Sequence, residues 1–334
     1  MSATEVEAPT LTRAGLSFRP ATLVDARLYA ELTAVYRPDE PADPGVTAHG
    51  WANPTQGYDR ERFVIEVGGR PAGFAWHIEA DVERDPERDP ERNGDLNIFL
   101  VPAAMSHERY RAALELVEER SVGAGVRILR TDIWEDATEE AAVLTELGYV
   151  RDRMSRAWEL DLVENGDRLL LLAGRAEALM REQGIRCGAV ADDGDPEIWS
   201  RCYEAQMAAT EDIPRTGPFI RPTFEQFTGW LSSPDFSARW YFTAKDGDRV
   251  IGMSNLRFPP VQGNVWTGFT GVVREYRGRG VARAVKMALL KQAIDQNVPR
   301  VRTDNDEANA PMLHINEELG YQRIPGILSF RKQR

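Results

Sequence analysis

The sequence predicts an α/β (α+β) fold of two tandem domains, each a mixed, mostly antiparallel sheet flanked by helices. Three observations predict it. One order of elements (strand, helix, hairpin, strand, helix, strand, helix, strand) runs through both halves of the chain. Leu147-Gly148-Tyr149 near the end of the first half answers Leu319-Gly320-Tyr321 near the end of the second. The 334 residues, 42% hydrophobic and 28% charged, suffice for two globular domains and are too many for one small core. The unit is far longer than a solenoid repeat, so the pattern is that of a duplicated domain.

In the first half, LSFRPAT (16–22) reads as a strand and DARLYAELTAVY (25–36) as an amphipathic helix. RFVIEVGGRPAGFAWHIEA (62–80) is a hairpin turning at Gly68-Gly69. Residues 80–96 repeat Glu-Arg-Asp-Pro and are charged throughout, the mark of a solvated loop. A strand at 96–101, a helix at 107–125, a strand at 126–134, a helix at 139–149 and a strand at 155–162 follow.

The second half repeats the plan. A strand at 184–190 and a helix at 195–209 precede a hairpin, 240–258, around Asp246-Gly247-Asp248. Then come a strand at 264–273, a helix at 280–298, a strand at 300–305, a helix at 309–321 and a strand at 327–332. The bridge 163–184 reads as a polar turn and then a helix. The expected division is a first domain at 1–163, a linker helix at 164–183 and a second domain at 184–334.

Composition excludes several classes. A net charge of −12 argues against nucleic acid as a partner and suits a cationic small molecule. The two cysteines, Cys187 and Cys202, form neither a disulfide framework nor a zinc spacing, so a reducing cytoplasm is expected. MSATEVEAPT lacks the basic-then-apolar pattern of a signal peptide, and the longest aliphatic run, 169–173, is too short to span a bilayer. No membrane association is expected. His49, His77, His107 and His314 are scattered and read as surface or packing residues, so no metal is expected.

The chemistry concentrates in RGRGVA, residues 277–282, between a strand and a long helix. A Walker A loop fails, because no Lys-Ser or Lys-Thr follows the glycines. A Rossmann fingerprint fails, because Arg283 stands where its last glycine must let helix and strand pack closely. The pattern [Q/R]-x-x-G-x-[G/A] fits Arg277-Gly278-Arg279-Gly280-Val281-Ala282. Glycines there let backbone close on a phosphate at a helix N-terminus, and Arg277, Arg279 and Arg283 add positive charge.

With TGVVREYRGRGVARAVKMALL and TDNDEANAPMLHINEELGY, the chain resembles the GNAT N-acetyltransferase superfamily in its tandem form, of which mycothiol synthase is one kind. The resemblance implies that the turn from Arg277 to Arg283 holds the pyrophosphate of acetyl-CoA as co-substrate. It implies that Asn309 contacts the pantetheine arm and that backbone donors at Val272, Val273 and Arg274 face the acetyl carbonyl. Asn316 occupies the place where many members carry a tyrosine that protonates the CoA thiolate. An amide cannot give up a proton at neutral pH. Tyr321 takes the aromatic place that closes the helix, where core packing is favoured over catalysis. Thr270, two residues before Val272, is expected to face the substrate.

An amine acceptor needs a base. Glu211 and Asp212, just after the first helix of the second half, are the candidates, with Asp304 and Asp306 weaker ones. In the first half Met105 stands where Arg277 stands, and no glycine lies between Leu100 and Leu114. Acids replace Asn309, so this half is expected to keep the fold without binding acetyl-CoA. The leading expectation is an acetyl-CoA-dependent N-acetyltransferase acting on a primary amine of a small molecule by direct attack. Alternatives are a non-catalytic acyl-CoA sensor or scaffold, acetylation of a cysteinyl sugar, and a purely structural tandem domain. Acceptor specificity is expected in loops 37–60 and 209–236, and the chain is expected to be a monomer or homodimer.

Overall fold

The computed structural model describes residues 11–55, 57–80, 89–211, 213, 219 and 221–334. In chain order the first elements are β1 (Leu11–Arg13), β2 (Leu16–Pro20), α1 (Ala26–Tyr36), α2 (Pro44–Ala52), β3 (Tyr58–Val67), β4 (Arg70–Ala80) and β5 (Asn93–Leu100). Next come α3 (His107–Gly123), β6 (Ile128–Trp134), α4 (Thr138–Glu146), β7 (Val150–Asp161), α5 (Leu162–Glu182), β8 (Ile185–Ala189) and α6 (Ile198–Thr210). The chain ends with α7 (Phe224–Leu231), β9 (Tyr241–Asp246), β10 (Arg249–Arg257), β11 (Trp266–Val272), α8 (Val281–Asp295), β12 (Arg300–Asp306), α9 (Ala310–Leu319) and β13 (Gln322–Gln333).

Every element read from the sequence is present, with ends moved by a few residues. The charged stretch 80–96 is shorter than expected, because β5 starts at Asn93; its residues 81–88 lie outside the described residues. The bridge has no leading polar turn. Asp161 accepts from the amides of Val163 and Glu164 at 2.9 and 2.8 Å, so α5 starts at once. Two helices lie inside expected loops. Pro44 opens α2, with Asp43 accepting from Gly45 and Val46. A capping box between Thr223 and Gln226 opens α7.

The chain forms two compact units, and they do not follow chain order. The first holds residues 1–154, 261–263 and 327–334; the second holds 155–260 and 264–326. Residues 155–163, expected in the first domain, thus lie in the second unit, and 327–334 lie in the first. Each sheet is closed by a strand from the other half of the sequence. In the first unit the order runs from β1 through β6 to the end of β13, where Ile327–Gln333 pair antiparallel with Trp134–Ile128. In the second it runs β7, β12, β11, β10, β9, β8, with Ser155–Asp161 antiparallel to Asp306–Arg300. Only β5–β6 and β11–β12 pair in parallel among the described ladders.

The second unit has one core, in which Leu169, Ala173 and Met180 of α5 join Val285, Leu289 and Ala293 of α8. The helix expected as a linker is therefore a core helix of this unit. The first unit buries both faces of its sheet. Leu114 and Val117 of α3 cover one, and Tyr29, Tyr36 and Trp51 of α1 and α2 cover the other.

Candidate functional site

The site is built on β11 of the second unit. β11 and β12 start side by side and then part. Trp266 stands opposite Arg302, and the Arg302 amide donates to the Val265 carbonyl at 2.8 Å. Beyond that pair β11 runs to Val272 and β12 to Asp306 without further pairing between them. A bulge accounts for the parting. Asn255 of β10 faces Phe269 while Leu256 faces Thr267, so Gly268 is the extra residue on β11. A bulge bends its strand. A Cβ on Gly268 would fall 2.4 Å from Asn255 Oδ1, so a larger residue there would have to displace the Asn255 side chain. The matching β4–β5 ladder of the first unit has no such shift, and β5 stays beside β6 over Asn93–Leu96.

The Val273 amide donates to the Ile251 carbonyl at 2.9 Å, so it points at β10. Alternation along the strand then turns the N–H and C=O of Val272 to the edge that β12 has left. There the Val272 carbonyl accepts from Arg277 Nε at 3.1 Å. Of the three backbone donors expected for an acetyl carbonyl, the Val273 amide is already committed to the sheet. Arg274 is exposed and opens a single 3₁₀ turn, Arg274–Tyr276.

After that turn the backbone takes the left-handed conformation twice, at Gly278 (φ +73°) and Gly280 (φ +84°). The two glycines have different surroundings. A Cβ on Gly280 would lie 3.1 Å from Leu179 Cδ2, whereas a Cβ on Gly278 would meet nothing within 4 Å. Packing therefore leaves open space at Gly278. Gly280 caps α8 without a side chain, so no side chain takes up the orphan amides of the first turn. Val281 is buried and Ala282 half-buried, which seats α8 on the core.

The arginines serve the turn itself. Arg279 Nε donates to Gln183 Oε1 at 3.0 Å, and Gln183 Nε2 donates back to the Arg279 carbonyl at 3.2 Å. The Arg279 guanidinium also lies 4.7 Å over the Tyr276 ring. Arg283 pairs with Glu318. Expected as charge for a pyrophosphate, all three arginines already have protein partners. Gln183, at the C-cap of α5, was not read from the sequence as part of the site.

Across the gap, Asn309 is the half-buried N-cap of α9, and its side-chain amide caps nothing. Asn316 is fully buried. Its Nδ2 donates to Asn305 Oδ1 and its Oδ1 accepts from Lys286 Nζ, both at 2.8 Å. The chain of three side chains ties α8, α9 and β12 together. Lys286 is 1% exposed, and burial lowers its pKa to about 7. Its Nζ lies 4.6 Å over the Tyr321 ring. Tyr321 belongs to the core; its buried hydroxyl has no hydrogen-bond partner, and burial pushes its pKa up. Sequence reading missed Lys286, whose only signal is a cation inside the apolar run Val285-Lys286-Met287.

The C-terminal turn of α6 lies against the end of β11: a Cβ on Gly271 would fall 2.9 Å from Ala209 Cβ. Glu211, two residues after Ala209, is the exposed C-cap of α6, and Asp212 lies outside the described residues. The weaker acidic candidates have local work. Asp304 accepts from Ser155, and Asp306 accepts from the Ala308 amide. The Thr270 hydroxyl shares a 2.8 Å hydrogen bond with buried Ser254. Burial pushes the Cys187 and Cys202 thiols up to about 11 and about 12, far from nucleophilic thiolates.

The corresponding turn of the first unit is closed by its own side chains. Ser106 Oγ accepts from the Arg109 amide at 3.3 Å and caps α3, and Met105 packs on the core. Among the described residues no group of His, Cys, Asp or Glu could hold a metal ion, and no helix is long and apolar enough to cross a membrane.

Residues 199–321 match a family model, the acetyltransferase (GNAT) family. No curated protein matches the chain in sequence. Solved structures match it in fold. A tandem GNAT protein from the clavulanic acid biosynthesis pathway superposes with a TM-score of 0.71 at 16% identity, covering 95% of this chain and 98% of that one. A GCN5-related N-acetyltransferase from Sphaerobacter thermophilus gives 0.69 at 17%, covering 97% of each chain. A glucosamine N-acetyltransferase region of a fungal multi-domain beta-N-acetylglucosaminidase gives 0.66 at 14%, covering 97% of this chain and 38% of that one. At such identities the likeness is one of fold. Residues 199–321 thus match the acetyltransferase (GNAT) family, and the chain as a whole has the fold of tandem GNAT structures.

Proposed function

We propose that the second unit transfers an acetyl group from acetyl-CoA to a primary amine of a small molecule, by direct attack in a ternary complex. The observation that carries this reading is the Gly278–Gly280 turn. Its backbone is left-handed, the space over Gly278 is open, and it leads into a helix with no side-chain cap. Such a turn suits a pyrophosphate. Acetyl-CoA supplies the activated acetyl thioester.

The remaining groups take roles by position. Asn309 offers its unspent amide to the pantetheine arm. The Val272 amide, turned to the open edge, donates to the oxygen that becomes negative as the amine attacks. Glu211, or Asp212, accepts the amine proton directly or through water. Asn316 is held on both sides and gives up no proton. Lys286 is a positioning residue: it fixes Asn316 and sets a positive charge at the α8–α9 junction, favouring the departing thiolate. The excess of acid over base in the chain favours a cationic acceptor and disfavours nucleic acid. The thiols, half-buried at Cys187 and buried at Cys202, are poorly ionised, which supports attack by the amine itself rather than an acyl-cysteine. The first unit, with its capped turn and unbulged strand, is assigned no acetyl-CoA. The test is free-thiol release from acetyl-CoA against a panel of polyamines, amino sugars and a cysteinyl sugar. Turnover with one class assigns the acceptor; acetyl-CoA binding without turnover on any amine leaves a sensor instead.

A further inference from the structure

β3 carries a feature unrelated to the glycine turn. Tyr58, Arg60, Arg62 and Val64 alternate onto one face of that strand. It is the face on which Val64 packs with Tyr29, Trp51 and Trp76. In the ladder to β4, Arg60 stands opposite Ile78 and Arg62 opposite Trp76.

Both arginines are half-buried, and burial lowers the pKa of each, with Arg60 lowering that of Arg62 further. The Arg62 guanidinium lies 4.9 Å over the Trp51 ring. Tyr29 stands edge-on to Trp51 at 5.7 Å and to Trp76 at 5.9 Å, so the two cations border an aromatic wall. Arg60 Nε is screened from solvent and has no hydrogen-bond partner.

Neither arginine has a carboxylate partner among the described residues. Other arginines of this unit do: Arg19 with Asp25, Arg37 with Asp136, Arg130 with Asp95. The acid between the two, Glu61, is turned to the opposite face by the pleat, where Arg120 and His77 hold it. In a chain with net charge −12, acids are not scarce. Two adjacent, partly desolvated cations without one are costly unless an anion joins them.

The geometry points to a small-molecule site in the first unit that takes an organic oxyanion, a carboxylate or phosphate carried on an apolar or aromatic group. Alternate residues of a strand are about 7 Å apart, so two guanidinium forks reach one oxyanion together. Trp76, Trp51 and Tyr29 offer the apolar wall for the rest of the ligand. This site is independent of acetyl-CoA and of the reaction proposed for the second unit.

The alternative is that both side chains only cover the aromatic cluster with their stems. The two readings separate in one experiment. The full chain, Arg60→Gln and Arg62→Gln are titrated with benzoate and with phenyl phosphate at constant ionic strength, with benzyl alcohol as the neutral control. Binding is followed by calorimetry and thermal unfolding. The expected result is saturable binding of at least one oxyanion at one site, with a raised midpoint in the wild type. Both effects fall at least tenfold in each variant, and the ligand-free variants melt no lower than wild type. The stronger of the two probes assigns carboxylate or phosphate. Absence of saturable binding, an equal response to benzyl alcohol, or an equal response in wild type and variants would overturn the site. So would ligand-free variants that melt lower and show no ligand response, which is the pattern of plain packing.

Discussion

Lys286 Nζ donates to Asn316 Oδ1 at 2.8 Å inside the second unit, and both residues are buried. The pair joins the helix that follows the glycine turn to the helix that Asn309 caps. An ammonium held by a neutral amide keeps its charge only near or below its lowered pKa of about 7.

Lys286→Met is expected to lower kcat about tenfold or more, with a smaller change in KM for acetyl-CoA. One preorganised charge near a developing anion is commonly worth that much. The wild-type kcat should also fall off on the alkaline side of pH 7, as the ammonium is lost. The variant should lack that limb. Steady-state pH profiles of both proteins check this, and superimposable profiles would remove Lys286 from the reaction.

Stability should carry the same signature. Free lysine titrates at 10.5 and buried Lys286 at about 7. Between those values the unfolded chain holds a proton that the folded chain has released, so stability rises with pH across that window. Below pH 7 both states are protonated, and the slope from this group vanishes. Denaturant unfolding at pH 6.5, 8 and 9.5 should show the rise in wild type and a flatter profile in Lys286→Met.

The exchange of closing strands predicts where truncation is felt. Deleting residues 327–334 should expose β6 of the first unit and strip Lys332 and Arg334 from buried Glu118. A buried carboxylate left unpaired is strongly destabilising. Hydrogen exchange should speed in Ile128–Trp134 and leave β9 and β10 protected. Loss of protection in the second unit instead would contradict this division of the chain.

Glu211→Gln should lower kcat/KM by about a hundredfold if that carboxylate is the base. Asp212→Asn is its control. An effect confined to Asp212→Asn would move the role by one residue, and no effect from either would place the base elsewhere.

Much of this architecture was legible in the sequence because it is written in local chemistry. The two Leu-Gly-Tyr endings, the Gly68-Gly69 hairpin and the arginine–glycine turn each specify their own backbone. Helix α7 falls in the stretch expected as a loop, although Thr223 and Gln226 form a capping box that marks its start. Helix α2, with Gly45 and Gly50 inside it, carries almost no helical signal of its own. Non-local facts were hidden. Nothing in the order of strands tells that β13 closes the first sheet and β7 the second. Nothing near RGRGVA tells that Gln183, nearly a hundred residues earlier, clasps Arg279. Lys286 reads as an ordinary helical lysine until α9 is folded over it.

The turn at Gly278 is expected to cradle one acetyl-CoA per chain. Asparagine tolerates the left-handed conformation that Gly278 adopts, and its Cβ would meet no protein atom within 4 Å. Gly278→Asn should therefore fold as wild type does while filling the cradle. Calorimetric titration of acetyl-CoA should give one site per chain in the wild type and at least tenfold weaker binding in the variant, at unchanged melting temperature. No binding to wild type, two sites per chain, or an unaltered affinity in Gly278→Asn would contradict the account.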